Sequence, residues 1–268
     1  MVWDRSRQRP KARATHGGSP TGGLRHRWAA WVMGHDDSHS PGIGLRVPVG
    51  CPWLRSSTVT AHSLDAAGLR ALMRTFRDAL VAHRTTLNLL NVYPVPDGDT
   101  GSNMTMTVDS VCVDLEALDQ TADMDAVAGA IAHGSLMGAR GNSGVILSQV
   151  LRGLSATFSQ GGTNDPQGTI DGRLLADGMA AAATAAYGAV MTPVEGTILT
   201  VVRESAEAAV AAADGGADLL GVAEASRMAG GESLARTPEL LPVLAEAGVV
   251  DAGGCGFLLL LDAVLTTI

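Results

Sequence analysis

From Leu64 onward, apolar residues recur at three- and four-residue spacing: Leu69, Leu72, Met73, Phe76, Leu80, Val81 and Leu87, with Arg70, Arg74, Arg77 and Arg84 on other faces. That period is the mark of an amphipathic helix. Similar stretches follow at about 103–119, 123–138, 142–159, 171–190, 196–213, 217–235 and 253–267, with a short one near 239–247. Gly, Pro and Asp punctuate them, as at Gly161-Gly162, Asn164-Asp165-Pro166, Pro193, Gly215-Gly216, Pro238 and Gly248. Alanine-rich runs at 180–186 and 208–213 favour helix and allow helices to approach closely. Alternation of β-branched residues is nearly absent. The pattern predicts an all-α domain of about eight helices.

Charge divides the chain. Residues 1–57 carry nine Lys+Arg against three Asp, whereas residues 58–268 carry ten Arg against 24 acids, which together give the net −8. The first segment scatters its basic residues among Gly, Pro, Ser and His and has too little apolar content to fold. It is expected to be a disordered basic tail, with non-native upstream sequence as an alternative origin, and 58–268 to be the folded domain. The tail lacks the apolar stretch of a signal peptide. The acidic domain is a poor nucleic-acid surface. Its most apolar run, Phe257 to Leu261, stops at Asp262, far short of the roughly 18–20 residues of a membrane span. Cys51, Cys112 and Cys255 are widely spaced and form no CxxC, which fits a reducing compartment such as the cytoplasm. Lys11 is the one lysine in the chain, so the domain can supply neither a Walker lysine, nor a kinase strand lysine, nor a Schiff-base amine.

The densest chemistry lies in Val92 to Met104, Val-Tyr-Pro-Val-Pro-Asp-Gly-Asp-Thr-Gly-Ser-Asn-Met. Asp97 and Asp99 are crowded together in a loop stiffened by Pro94 and Pro96, with Gly101 freeing its exit. Asp-Gly pairs are also ordinary turn chemistry. Two like charges held together suit a hard divalent cation with oxygen ligands, Mg²⁺ on nucleotide phosphates being the simplest. An EF-hand fails: counting Asp97 as the first position, the twelfth is Val108 rather than Glu. Two further loops, Gly138 to Gly144 and Val249 to Gly256, are glycine-rich and precede helices, where free amides make an anion site. Arg140 could add a contact to phosphate.

Four ordered motifs, Asn88 to Met104, Gly138 to Gln149, Pro193 to Leu199 and Val249 to Gly254, together resemble the nucleotide-binding (DhaL-like, or DAK phosphatase) domain of bacterial fatty acid kinase, a relative of the L subunit of dihydroxyacetone kinase. The resemblance covers about residues 63–268. It implies an antiparallel eight-helix barrel with ATP bound at one end. Asp97 and Asp99 would hold Mg²⁺ and do the catalytic work, with Asn91 as a third metal contact. Thr100, Asn103 and Met104 would line the nucleotide, and Asn103 could also help position the metal. Gly141, Asn142, Ser143 and Gly144 would cradle the β-phosphate, and Asp251, Gly253 and Gly254 would cap the nucleotide from the far side.

The dihydroxyacetone kinase version of the first motif has three aspartates and a His after the second of the pair. Here that position is Thr100, and Asn91 lies near the missing aspartate. These departures favour the fatty acid kinase branch and leave the number of metal ions open. The resemblance implies phosphoryl transfer from ATP to a fatty acid held by a separate binding protein. The alternatives are a dihydroxyacetone (glycerone) kinase-type nucleotide subunit and a truncated, non-catalytic nucleotide-binding module. Family chains carry further domains after this one, so the chain is expected to be an incomplete kinase, and any homodimer to form through those domains.

Overall fold

The computed structural model describes residues 63–162 and 168–268. The basic tail and the boundary near residue 57 lie outside the described residues. Among the described residues there are nine α-helices and no strand: α1 Ala66–Leu90, α2 Thr100–Ala117, α3 Met124–Gly138, α4 Gly141–Gly162, α5 Gly172–Gly188, α6 Ile198–Asp214, α7 Leu219–Leu240, the short α8 Pro242–Ala247, and α9 Ala252–Thr267. The all-α class and all eight long helices match the expectation, as does the short one.

Local chemistry sets the boundaries. Asp65, Asp123, Asp171 and Asp218 each stand at an N-cap in extended backbone and accept from the amide three residues on. That satisfies one of the donors a helix start leaves open. The reading at Pro238 needs correcting. Pro238 does not end α7; it sits in the last turn, and the break falls at Leu241. A proline there frees the carbonyl four residues back, and Thr237 Oγ1 donates to that Leu234 oxygen at 2.7 Å, which offsets the loss.

Each long helix packs on its neighbours in the chain, and α9 packs on α1, α7, α6 and α2, so the order of contacts closes on itself. Phe76, Leu80, Met104, Val108, Leu147, Val150, Val201, Phe257 and Leu258 are fully buried between the helices. Helix α9 is buried along most of its length because its N-terminal row is glycine. A Cβ at Gly254 would lie 2.9 Å from Val201 Cγ2, and one at Gly256 would strike the Met104 sulfur. Two positions on α1 depart from the periodic reading. Val81 is exposed, with Leu80 taking the core position. Arg70 is buried and donates to the Leu115 and Asp119 carbonyls at the end of α2, at 2.8 and 2.5 Å. A cation there complements the negative end of the helix. No described helix is long and apolar enough to cross a membrane.

Candidate functional site

The α1–α2 loop carries the paired carboxylates. Asn91, buried at the end of α1, donates from Nδ2 to Asp97 Oδ1 at 2.7 Å, which fixes the first carboxylate. Asp99 is the N-cap of α2, and its backbone oxygen takes the Asn103 amide at 2.8 Å. Its carboxylate makes no capping bond, in contrast to the five other aspartate caps, and so keeps its oxygens for another partner. Asn88 staples the loop's exit, accepting from the Ser102 amide and donating to Ser102 Oγ, both at 3.1 Å. Gly101 is inside the first turn of α2 rather than in the loop. A side chain there would strike the Arg84 carbonyl of α1, so the glycine serves close approach.

The second loop is shorter than its sequence suggests, because α3 ends at Gly138 and α4 starts at Gly141. Gly141 has φ +58 and faces the buried Asn103 amide, which a Cβ would strike. The first bond of α4 runs from Gly144 N to the Arg140 carbonyl at 3.0 Å, leaving the amides before it at the open end of the helix. Gly144 is therefore committed, which leaves the amides of Gly141, Asn142 and Ser143 ahead of it. Arg140 turns away from it. Its Nη1 donates to the Ala139 and Met137 carbonyls, at 2.8 and 3.2 Å, so it caps α3.

Asp251 is buried at the N-cap of α9, accepting from Gly254 N at 2.7 Å while its own amide donates to Thr237 Oγ1 at 3.2 Å. Burial pushes its carboxyl up to about 6, against the pull of hydrogen bonds from the Gly254, Ile198 and Gly253 amides. One carboxylate thus joins the starts of α6 and α9.

A cavity of about 470 Å³ brings these loops together. Its walls include Asn91, Asp97 and Thr100, then Asn142 and Ser143, then Ala189 to Thr192, Val194 and Thr197 to Leu199, then Asp251 and Gly253. Four helix N-termini, those of α2, α4, α6 and α9, open on this space. Each helix start carries the positive end of the helix dipole, and at α4 the first amides also remain open, so their convergence favours a polyanion. Asp99, Asn103, Gly141, Gly144 and Gly254 support the walls without lining them, and Met104 is fully buried in the core. Among the described residues, no group of three or more His, Cys, Asp or Glu side chains is placed to hold a metal unaided. Two carboxylates and an amide fit Mg²⁺, which keeps several waters and takes the rest of its shell from substrate phosphates.

A polar cluster that the periodic reading missed backs the cavity. Glu195 accepts from Tyr187 OH (2.9 Å), Thr200 Oγ1 (2.7 Å) and Arg203 Nη2 (3.1 Å), and Arg203 Nε donates to Tyr187 OH at 3.2 Å. Burial pushes the Glu195 carboxyl up, but the three hydrogen bonds outweigh it and hold the group below the usual carboxylate range. The signal was present in the sequence: a Tyr, a Glu and an Arg each eight residues apart around Pro193.

Comparison with known proteins bears on the family and the fold. A family profile, the DAK2 domain, matches residues 94–266. Protein YloV of Bacillus subtilis is 42% identical over 202 residues, 73% of this chain and 35% of the relative. An uncharacterized protein of Staphylococcus aureus is 45% identical over 176 residues, 66% of this chain and 31% of its own length. The chain thus spans about a third of the curated relatives it matches. Among solved structures, the dihydroxyacetone kinase of C. freundii in complex with AMP-PNP and Mg²⁺ superposes with a TM-score of 0.53 at 18% identity, covering 86% of this chain and 38% of that one.

Proposed function

The chain belongs to the DAK2 domain family, and on that premise we propose that it is the Mg²⁺-dependent ATP-binding domain of a kinase whose acceptor is a fatty acid held by a separate binding protein. The observation that carries this reading is the cavity on which four helix N-termini open beside Asp97, with the uncapped carboxylate of Asp99 two residues on in the same loop. The solved C. freundii kinase, alike in fold, holds AMP-PNP and Mg²⁺, which supports the same ligands here.

In this reading Asp97 and Asp99 hold Mg²⁺, with Asn91 orienting Asp97. The amides of Gly141 to Ser143 and the start of α2 at Thr100 receive the phosphates. The metal supplies the charge neutralisation that lysine provides in other kinases. Asp251 acts by joining the α6 and α9 starts, since its oxygens are already taken by amides. The chemistry is positioning and electrostatic stabilisation, with no side-chain base required. Exposed Val95, Val145 and Met191 stand at the cavity's edge, and the acceptor-bearing partner docks there to exclude water from the γ-phosphate.

Calorimetric titration of ATP·Mg into the chain and into Asp97→Ala and Asp99→Ala tests the reading. Each variant should lose at least about tenfold in Mg-dependent affinity and keep its helical circular dichroism signal. Unchanged binding by both would refute it. A phosphate-transfer assay with a fatty-acid-loaded partner then separates a fatty acid kinase domain from a glycerone kinase-type subunit, which would phosphorylate dihydroxyacetone, and from a module that binds without turnover.

A further inference from the structure

The Pro193-Val194-Glu195-Gly196-Thr197 motif has no role in the proposed chemistry, yet it anchors a whole side of the cavity. The segment between α5 and α6 contributes Ala189, Val190, Met191, Thr192, Val194 and Thr197 to the walls. From Ala189 to Glu195 it is exposed or half-buried, and Met191 is 104% exposed, so core packing holds only its end at Gly196 and Thr197 and not the wall itself. What holds it is the Glu195 cluster.

Glu195 Oε1 accepts a hydrogen bond from Tyr187 OH, in the last turn of α5. Its Oε2 takes Thr200 Oγ1 and Arg203 Nη2, from the first two turns of α6. Arg203 Nε closes the ring on Tyr187 OH. Within the segment, Gly196 N donates to Thr200 Oγ1 at 2.8 Å, and Thr197 Oγ1 donates to the Val194 carbonyl at 2.8 Å. Both ends of the segment are therefore tied through one carboxylate. The Glu195 side chain is 51% exposed and that of Arg203 is 37% exposed. Pairs at that exposure add little to global stability, so the ring's effect falls on local geometry.

We propose that Glu195 is a positioning residue that fixes the α5–α6 segment as the apolar wall of the cavity, the wall that meets the nucleobase rather than the phosphates. The proposal rests on the nucleotide-binding reading above. Its chemistry follows from the lining: Val190, Met191 and Val194 offer no donors or cations to phosphate, but they suit the faces of a purine. The phosphate-binding groups are on the other loops.

The test uses the full chain and compares ATP·Mg with tripolyphosphate·Mg by calorimetry, alongside hydrogen exchange of the 189–197 amides. Glu195→Ala should weaken ATP·Mg about tenfold and leave tripolyphosphate·Mg within twofold, with faster exchange confined to 189–197. Glu195→Gln, which keeps one acceptor oxygen, should fall between wild type and Ala. In Tyr187→Phe combined with Glu195→Ala, the loss should not exceed that of Glu195→Ala alone, because both break one ring. Wild-type ATP affinity in folded Glu195→Ala would overturn the proposal. So would equal losses for ATP and tripolyphosphate, or faster exchange throughout the helices, either of which marks a general structural role. If wild type binds tripolyphosphate·Mg but gains nothing from the nucleoside, the wall does not meet a base and the proposal fails. If wild type binds neither, the ATP-binding reading itself fails and the nucleobase role falls with it, whereas a normal exchange pattern in Glu195→Ala would refute the clamp separately.

Discussion

Asp251 should make the fold less stable as pH rises through the weakly acidic range, against the usual behaviour of carboxylates. The group is buried, and its pKa stands at about 6 in the fold against an ordinary 3.8. Below pH 3.8 the folded and unfolded chains both carry the proton and the group contributes nothing. Between 3.8 and about 6 the folded chain holds a proton that the unfolded chain has lost, so stability falls as pH rises. Above about 6 the burial cost of the charge is fully present. The rise is worth on the order of 3 kcal/mol at 1.36 kcal/mol per tenfold. Asp251→Asn removes the titration and keeps an oxygen to cap α9 through Gly254 N. Amide bonds lost by the substitution add an offset that does not vary with pH, so the slope is the test. Urea unfolding of both proteins from pH 3.5 to 7.5 cancels the other acids. Wild type should lose on the order of 3 kcal/mol relative to the variant across this range, about 2 kcal/mol of it between pH 4 and 6, and level off above pH 7. A difference that stays flat, or one in which wild type gains with rising pH, would refute the reasoning and mean that the amides outweigh burial.

Other substitutions probe the walls. Gly141→Ala puts a Cβ into left-handed backbone and against the Asn103 amide. It should cost about 1–3 kcal/mol in urea unfolding and weaken ATP·Mg binding, and unchanged values for both would show that the α3–α4 corner yields freely. Thr237→Val strips the partner from the Leu234 carbonyl and from the Asp251 amide. A loss of about 1–3 kcal/mol is expected, and a neutral result would mean that Pro238 needs no compensation. Asn91→Ala releases Asp97 without touching its charge, so Mg-dependent ATP affinity should fall several-fold, less than in Asp97→Ala.

Much of this architecture could be read from residue patterns, because its causes are local. The 3.6-residue period of Leu69 to Leu87 and the aspartate caps at Asp123, Asp171 and Asp218 act within one or two turns. Residues of all four motif loops line one cavity. What could not be read is set by contacts distant in the chain. Gly253, Gly254 and Gly256 look like a loop, but they form the start of α9, because α6, α7 and α2 leave no room for side chains there. Arg70 looks solvent-facing until the end of α2 is placed over it. Met104 reads as part of the metal motif, yet its place on α2 turns it into the core against Gly256. Gly144 and Arg140 look free for phosphate, but the short loop commits the Gly144 amide to the first bond of α4 and the Arg140 guanidinium to the carbonyls ending α3.

The most direct test of the central claim is a crystal structure of the chain with AMP-PNP and Mn²⁺, located by its anomalous signal. Manganese should lie about 2.2 Å from carboxylate oxygens of Asp97 and Asp99, with phosphate oxygens at the amides of Gly141 to Ser143. Nucleotide bound outside this cavity, or manganese held without either carboxylate, would contradict it.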